Sequence, residues 1–118
     1  MNFKGPVYQK SFEFGLMAIE LTQILKQQRH YELANQFLRS ATSVGANVQE
    51  AGSAVSRKDF INRMSISLKE ARESLYWLSL FKASRLIDLK TKDAIQLCEE
   101  LIRILTSIVK TTKHGPRS

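Results

Sequence analysis

Ser40, Ser43, Asn47 and Glu50 lie within the stretch RSATSVGANVQEAG, and with Gln36 they recur at steps of four and three. One carboxylate beside hydroxyls and an amide is the smallest kit from which acid–base chemistry could be assembled. No histidine accompanies it: His30 and His114 are the chain's two, one in a polar turn and one near the C-terminus. No H-x-x-x-H, no E-x-x-H of the type that bundles use for di-iron sites, and no glycine-rich phosphate loop occurs. Cys98, the single cysteine, falls on an apolar seam, where a thiol acts as a small core residue and not as a nucleophile. The residues therefore point to no catalytic group, no cofactor, no metal and no small-molecule substrate. Gln36, Arg39, Ser43, Asn47 and Glu50 read instead as a structural network or subunit contact, with Lys69 and Arg72 as candidate partners besides Arg39, or else as a solvated face.

The second chemistry is charge. Eighteen Lys and Arg against eleven Asp and Glu leave a net charge of +7. Such a balance favours polyanions, because each neutralised phosphate releases a condensed counterion. Arg57, Lys58, Arg63, Lys69 and Arg72 cluster in one segment, and Lys110, Lys113, His114 and Arg117 crowd the C-terminus. Lys58, Lys69 and Arg72 share one helical face, with Asn62 and Ser65 between them. Repeated in an oligomer, that face would multiply weak phosphate contacts by avidity. The expectation is a non-enzymatic module that binds RNA or DNA; the competing one is a protein–protein adaptor whose partner supplies the chemistry.

Both sets of residues need helices to hold them. At 118 residues and 43% hydrophobic content, the chain suits one domain (1–118) with a core that needs no metal or disulfide. Its two prolines, Pro6 and Pro116, stand near the termini, so the interior can form long helices. Four are predicted, at about 6–28, 31–54, 56–83 and 91–112, with a basic tail over 113–118. Pro6 suits a first helical turn. KQQRH makes a polar first turn, and Ser56 with Asp59 resembles a capping box. Thr91 can cap the fourth helix, with Asp93 in its first turn.

The seams of the later helices are Ala34/Leu38/Ala41/Gly45/Val48/Gly52, Ile61/Met64/Leu68/Ala71/Leu75/Leu78 and Ala94/Cys98/Leu101/Leu105/Ile108. Small residues on the second helix allow a close approach by a neighbour. Phe12, Phe14, Leu16, Met17, Ile19, Leu21, Ile24 and Leu25 cover a wider arc of the first helix than one small bundle needs. Tyr76, Trp77 and Phe81 likewise look like surplus apolar surface, which suits self-association. These elements make an all-α, up-down-up-down four-helix bundle. MNFKGPVYQK lacks the apolar core of a secretory signal, no run is long enough for a membrane span, and one unpaired cysteine fits a reducing cytoplasm.

LRSATSVGANVQEA, followed by SRKDFINRMSISLKEARESLYWLSLF, resembles the bacterial four-helix-bundle family named after intervening sequences in 23S ribosomal RNA genes. That family's pattern runs roughly Q-x-x-R-S/A-x-x-S-I/V-x-A-N-x-x-E-G/A, then a Lys–Asp–Phe-like segment and an A-x-E-S/T-x-Y-W-L element. Here it falls on Gln36, Arg39, Ser40, Ser43, Val44, Asn47, Glu50 and Ala51, then on Lys58, Asp59, Phe60, Ala71, Glu73, Ser74, Tyr76, Trp77 and Leu78. QKSFEFGLMAIELTQ is similar to the family's first helix. The chain departs from the pattern in lacking a proline between helices one and two, and in an Arg/Leu-rich last turn where others place glycine. The resemblance implies a four-helix protomer, a ring-like homopentamer, and a structural or interface role for the motif residues, Glu73 and Trp77 included. It also implies a distant kinship with the accessory variability proteins of diversity-generating retroelements.

Overall fold

A computed structural model describes residues 5–84 and 89–114. It contains four helices: α1 (Pro6–Gln27), α2 (Tyr31–Ala51), α3 (Arg57–Ala83) and α4 (Lys92–His114). No strand occurs among the described residues. Each helix packs against its two neighbours in the order α1–α2–α3–α4–α1, and the diagonal pairs do not meet. The result is an antiparallel square of rods measuring 51 × 21 × 19 Å.

The helix ends follow local chemistry. Pro6 opens α1, where its missing N–H removes a donor that would have no intrahelical acceptor. At the other end, Arg29 N–H donates to the Lys26 carbonyl and His30 N–H to the Leu25 carbonyl. This closing pattern places Arg29 at φ 66°, a left-handed position that glycine usually fills. The turn is thus closed without the proline that the family pattern carries. Helix α2 stops at Ala51, three residues short of the expected 54. Gly52, Ser53 and Ala54 instead form a tight turn whose N–H groups satisfy the last carbonyls of the helix.

Ser56 Oγ accepts from Asp59 N–H at 3.0 Å. Asp59 Oδ2 reaches back to Val55 N–H at 3.2 Å, a capping box displaced by one residue. Helix α4 runs to His114, two residues beyond expectation, and so absorbs the start of the predicted tail. The rest of that tail, 115–118, and most of the 84–90 connection lie outside the described residues.

Most seam residues line the core, with Leu38, Ile61, Leu75 and Ile108 half-buried at its edge, and Phe37, on no predicted seam, joins them at its centre. Phe14, Phe37, Phe81, Leu25, Met64, Leu78, Leu101 and Leu105 are its largest fully buried side chains. Phe81 was expected among the surplus aromatics, yet it is buried. Its ring meets Phe37 edge-on, with centroids 5.5 Å apart, because residue 81 continues the α3 row that faces α2. Gly45 serves close approach: a Cβ there would stand 3.2 Å from the Ser11 carbonyl oxygen of α1.

Three buried serines join α2 to α3. Ser67 Oγ donates to the Val44 carbonyl at 2.8 Å. The Ser74 and Ser40 hydroxyls lie 3.1 Å apart, each also within reach of a carbonyl of its own helix (Glu70 at 2.8 Å, Phe37 at 3.0 Å). These contacts fix how α3 is rotated, and that rotation decides what its outer face presents.

Candidate nucleic-acid interface

With Ser67 and Ser74 turned toward α2, residues on the far flank of α3 must lie toward α4. Lys58, Asn62, Ser65, Lys69, Arg72 and Tyr76 step along that flank by four, three, four, three and four. All are exposed except Ser65, which is half-buried. On α4, Arg103, Thr106, Lys110 and Lys113 form a second exposed row. The helices are antiparallel, so Lys113 arrives beside Lys58. An open groove of about 520 Å³ is lined there by Ser56, Lys58, Asp59, Ile61, Asn62, Ser65 and Lys113. Among the described residues, no carboxylate lies within ion-pair distance of Lys58, Lys69, Arg72, Arg103, Lys110 or Lys113.

Five of the seven basic candidates therefore share one face: Lys58, Lys69, Arg72, Lys110 and Lys113. The other two do not join it. Arg57 Nε donates to the Thr112 carbonyl at 2.9 Å, and Nη2 donates to the same oxygen. Its guanidinium thus satisfies a carbonyl at the C-terminal end of α4 and holds the Lys113 end against α3. Arg63 lies four residues before Ser67, on the α2 side, with Nε 3.9 Å from Asp59 Oδ1. Arg103 was missed by the sequence reading because it stands apart from both basic clusters along the chain. Its membership shows only once α4 lies beside α3.

The polar stripe of α2 behaves differently from expectation. Gln36 Nε2 donates to Glu32, Arg39 Nη2 to Gln36 Oε1, Ser43 Oγ to the Arg39 carbonyl, and Asn47 Nδ2 to the Ser43 carbonyl. Each bond stays within α2. Glu50 is exposed, and Lys69 and Arg72 point to the opposite flank of α3, so the anticipated pairing across helices is not made. Ser40 leaves the stripe for the interior. Gln36, Ser43 and Asn47 remain half-buried at the rim of the α2/α3 groove, opposite half-buried Glu73 and Trp77. The Trp77 indole N–H is covered yet has no acceptor within the described protomer.

A third surface is apolar. Phe12, Leu16 and Ile19 of α1 are 66%, 50% and 46% exposed. With Tyr8, Gly15, Thr42, Ala46 and Gln49 they line a groove of about 300 Å³ that contains no ionisable carboxylate, amine or guanidinium. The exposed apolar row from Phe12 to Ile19 is continuous over about two helical turns.

The groups that could carry chemistry are dispersed among the described residues. Among the described residues, no group of three or more His, Cys, Asp or Glu could hold a metal ion. Cys98 Sγ lies 3.2 Å from the Ala71 carbonyl oxygen, and burial, with a smaller push from Glu99, raises its pKa to about 12. A thiol that stays protonated makes a poor nucleophile. No described helix is long and apolar enough to cross a membrane.

Comparison with known proteins agrees with the fold. A crystal structure of a protein of unknown function, from the S23 ribosomal protein family of Bacteroides thetaiotaomicron, superposes with a TM-score of 0.84. It is 40% identical, and the match covers 89% of this chain and 99% of that one. No match is found among curated proteins. The family model described as 23S rRNA-intervening sequence protein matches residues 4–107. The chain belongs to that family.

Proposed function

We propose that this protein is a non-enzymatic, oligomeric four-helix bundle of the cytoplasm that binds RNA or DNA through its basic surface. The observation that carries the reading is the gathering on the α3/α4 side of six cations that have no ion-pair partner among the described residues. A scatter of lysines on a solvated surface would be interleaved with ion-paired carboxylates; here Asp59, Glu73 and Glu99 border the two rows, and none of them lies within ion-pair distance of the six cations. The family description refers to 23S rRNA, which makes RNA the first ligand to try.

Self-association fits the remaining surfaces. The apolar groove of α1/α2 gives a second protomer something to bury, and the α2/α3 rim offers polar side chains whose hydrogen bonds stay within α2, beside a Trp77 indole N–H with no acceptor among the described residues. A ring-like homopentamer would present the basic side five times, and avidity would convert weak contacts into useful affinity. Mobility-shift titrations of RNA and DNA across ionic strength test the binding. Steep salt dependence and little sequence preference are expected. No detectable complex at low salt would overturn the proposal.

The apolar α1/α2 groove also favours a second reading, an adaptor that docks another protein there. Pull-down with and without nuclease separates the two: a partner retained after nuclease treatment supports the adaptor.

A further inference from the structure

We infer that the α3/α4 ridge is a track for single-stranded nucleic acid, with Tyr76 as a base-stacking platform at one end and Arg103 as one of its phosphate contacts. The inference rests on the nucleic-acid reading and adds the strand class, the face and two residues.

The row Lys58–Asn62–Ser65–Lys69–Arg72–Tyr76 covers eighteen helical steps, about 27 Å at 1.5 Å per residue. Lys58 at one end and Lys69 with Arg72 toward the other flank the hydrogen-bonding pair Asn62 and Ser65, and the row Arg103–Thr106–Lys110–Lys113 of α4 supplies the other bank. Tyr76 is 59% exposed, and its ring is braced by Trp77, with centroids 5.6 Å apart at 60°. Bracing leaves an aromatic face free beside the cations at low entropic cost. Every base has a face to stack on such a ring, whereas paired bases within a duplex have none to spare.

Shape argues in the same direction. A DNA major groove about 12 Å wide admits one helix, about 10–12 Å across with its side chains. Helix α3 lies flush against α4 along its length, and two helices packed about 8–10 Å apart are too wide to enter. A flexible strand can lie along the ridge; a duplex meets it only at grazing phosphates.

The test uses the full chain and fluorescence anisotropy with oligouridylate, oligodeoxythymidylate of the same length, and an RNA duplex of that length. Wild type is expected to bind both single strands more tightly than the duplex, with a salt slope of roughly −0.7 per engaged cation. Tyr76→Ala should lose about tenfold in single-strand affinity and leave duplex affinity unchanged, while Tyr76→Phe retains binding. Lys69→Glu combined with Arg103→Glu should flatten the salt slope. Lys26→Glu on α1, another exposed lysine, should not. Circular dichroism melts confirm that each variant folds. Duplex affinity equal to or above that of the single strands, or a Tyr76→Ala variant that binds like wild type, overturns the track but leaves nucleic-acid binding standing. Equal losses from Lys26→Glu and the double variant overturn the assignment of the face. Absence of all binding by wild type defeats the underlying reading instead.

Discussion

The outer faces of α1/α2 and α3/α4 are built on the same helical spacing and carry opposite chemistry. On the first, steps of four and three place Phe12, Leu16 and Ile19 in a row without charge. On the second, the same steps place Lys58, Lys69 and Arg72 in a row without apolar bulk until Tyr76. An apolar row gains by leaving water, so it seeks a partner of matching shape. A basic row is well hydrated and gains chiefly by exchanging small counterions for phosphates. One bundle can thus assemble through one side and offer the other outward. The polar α2/α3 rim lies between them and suits registration more than affinity.

If the two faces divide their labour in this way, charging the apolar one should have the largest effect. Leu16→Glu is expected to reduce the molar mass in solution to that of one protomer with helicity intact. Nucleic-acid affinity should fall with it, by up to about 10²–10⁴-fold as avidity disappears. Light scattering and anisotropy on the same sample check this. A wild type that is strictly monomeric when concentrated would end the comparison.

Two substitutions should damage one face each from beneath. Arg57→Ala removes the guanidinium that holds the Thr112 carbonyl. About 1.5–3 kcal/mol of stability should be lost. Hydrogen exchange should quicken at the C-terminal end of α4, next to Lys110 and Lys113, more than at α1. Gly45→Leu places a side chain where even a Cβ stands 3.2 Å from Ser11. It should cost about 1–3 kcal/mol and open the α1/α2 groove, with protection in α4 little changed. Protection lost equally at both ends in either variant would mean that the faces are mechanically one unit.

The smallest effect concerns Cys98, which belongs to neither face and should be blind to both. Its folded pKa is raised to about 12 by burial, against 9.0 for the ordinary thiol. A raised pKa contributes stability that is fully present below pH 9 and lost as pH climbs from about 9 toward 12. By pH 10 the loss should be about 1 kcal/mol, and Cys98→Ala should flatten that part of the pH profile. A thiol reagent should label Cys98 only when the protein unfolds.

Periodicity made most of the fold legible. Seams such as Ala94/Cys98/Leu101/Leu105 could be read because helical spacing and the hydrophobic effect act on neighbours in sequence. The capping serine and the N-terminal proline were legible for the same local reason. The candidate site was less so. Lys58, Lys69 and Arg72 could be placed on one face from their spacing, but Arg57 could not be known to reach Thr112, fifty-five residues away. Phe81, by contrast with Trp77 and Tyr76, falls three residues after the seam position Leu78, a spacing that already places it on the core side.

The amino-acid order by itself settled which residues share a helix face, because 3.6 residues per turn is a property of the backbone alone. It also settled where most helices start and stop, through proline, serine caps and polar turns. Only the tertiary structure decided how each rod is rotated about its axis. That rotation depends on contacts between distant segments: Ser67 against Val44, Gly45 against Ser11, Cys98 against Ala71. It brought Arg103 beside the basic row of α3, turned Arg63 away from it, drew Ser40 of the polar stripe inward to Ser74, and left Gln36, Ser43 and Asn47 bonded only within α2.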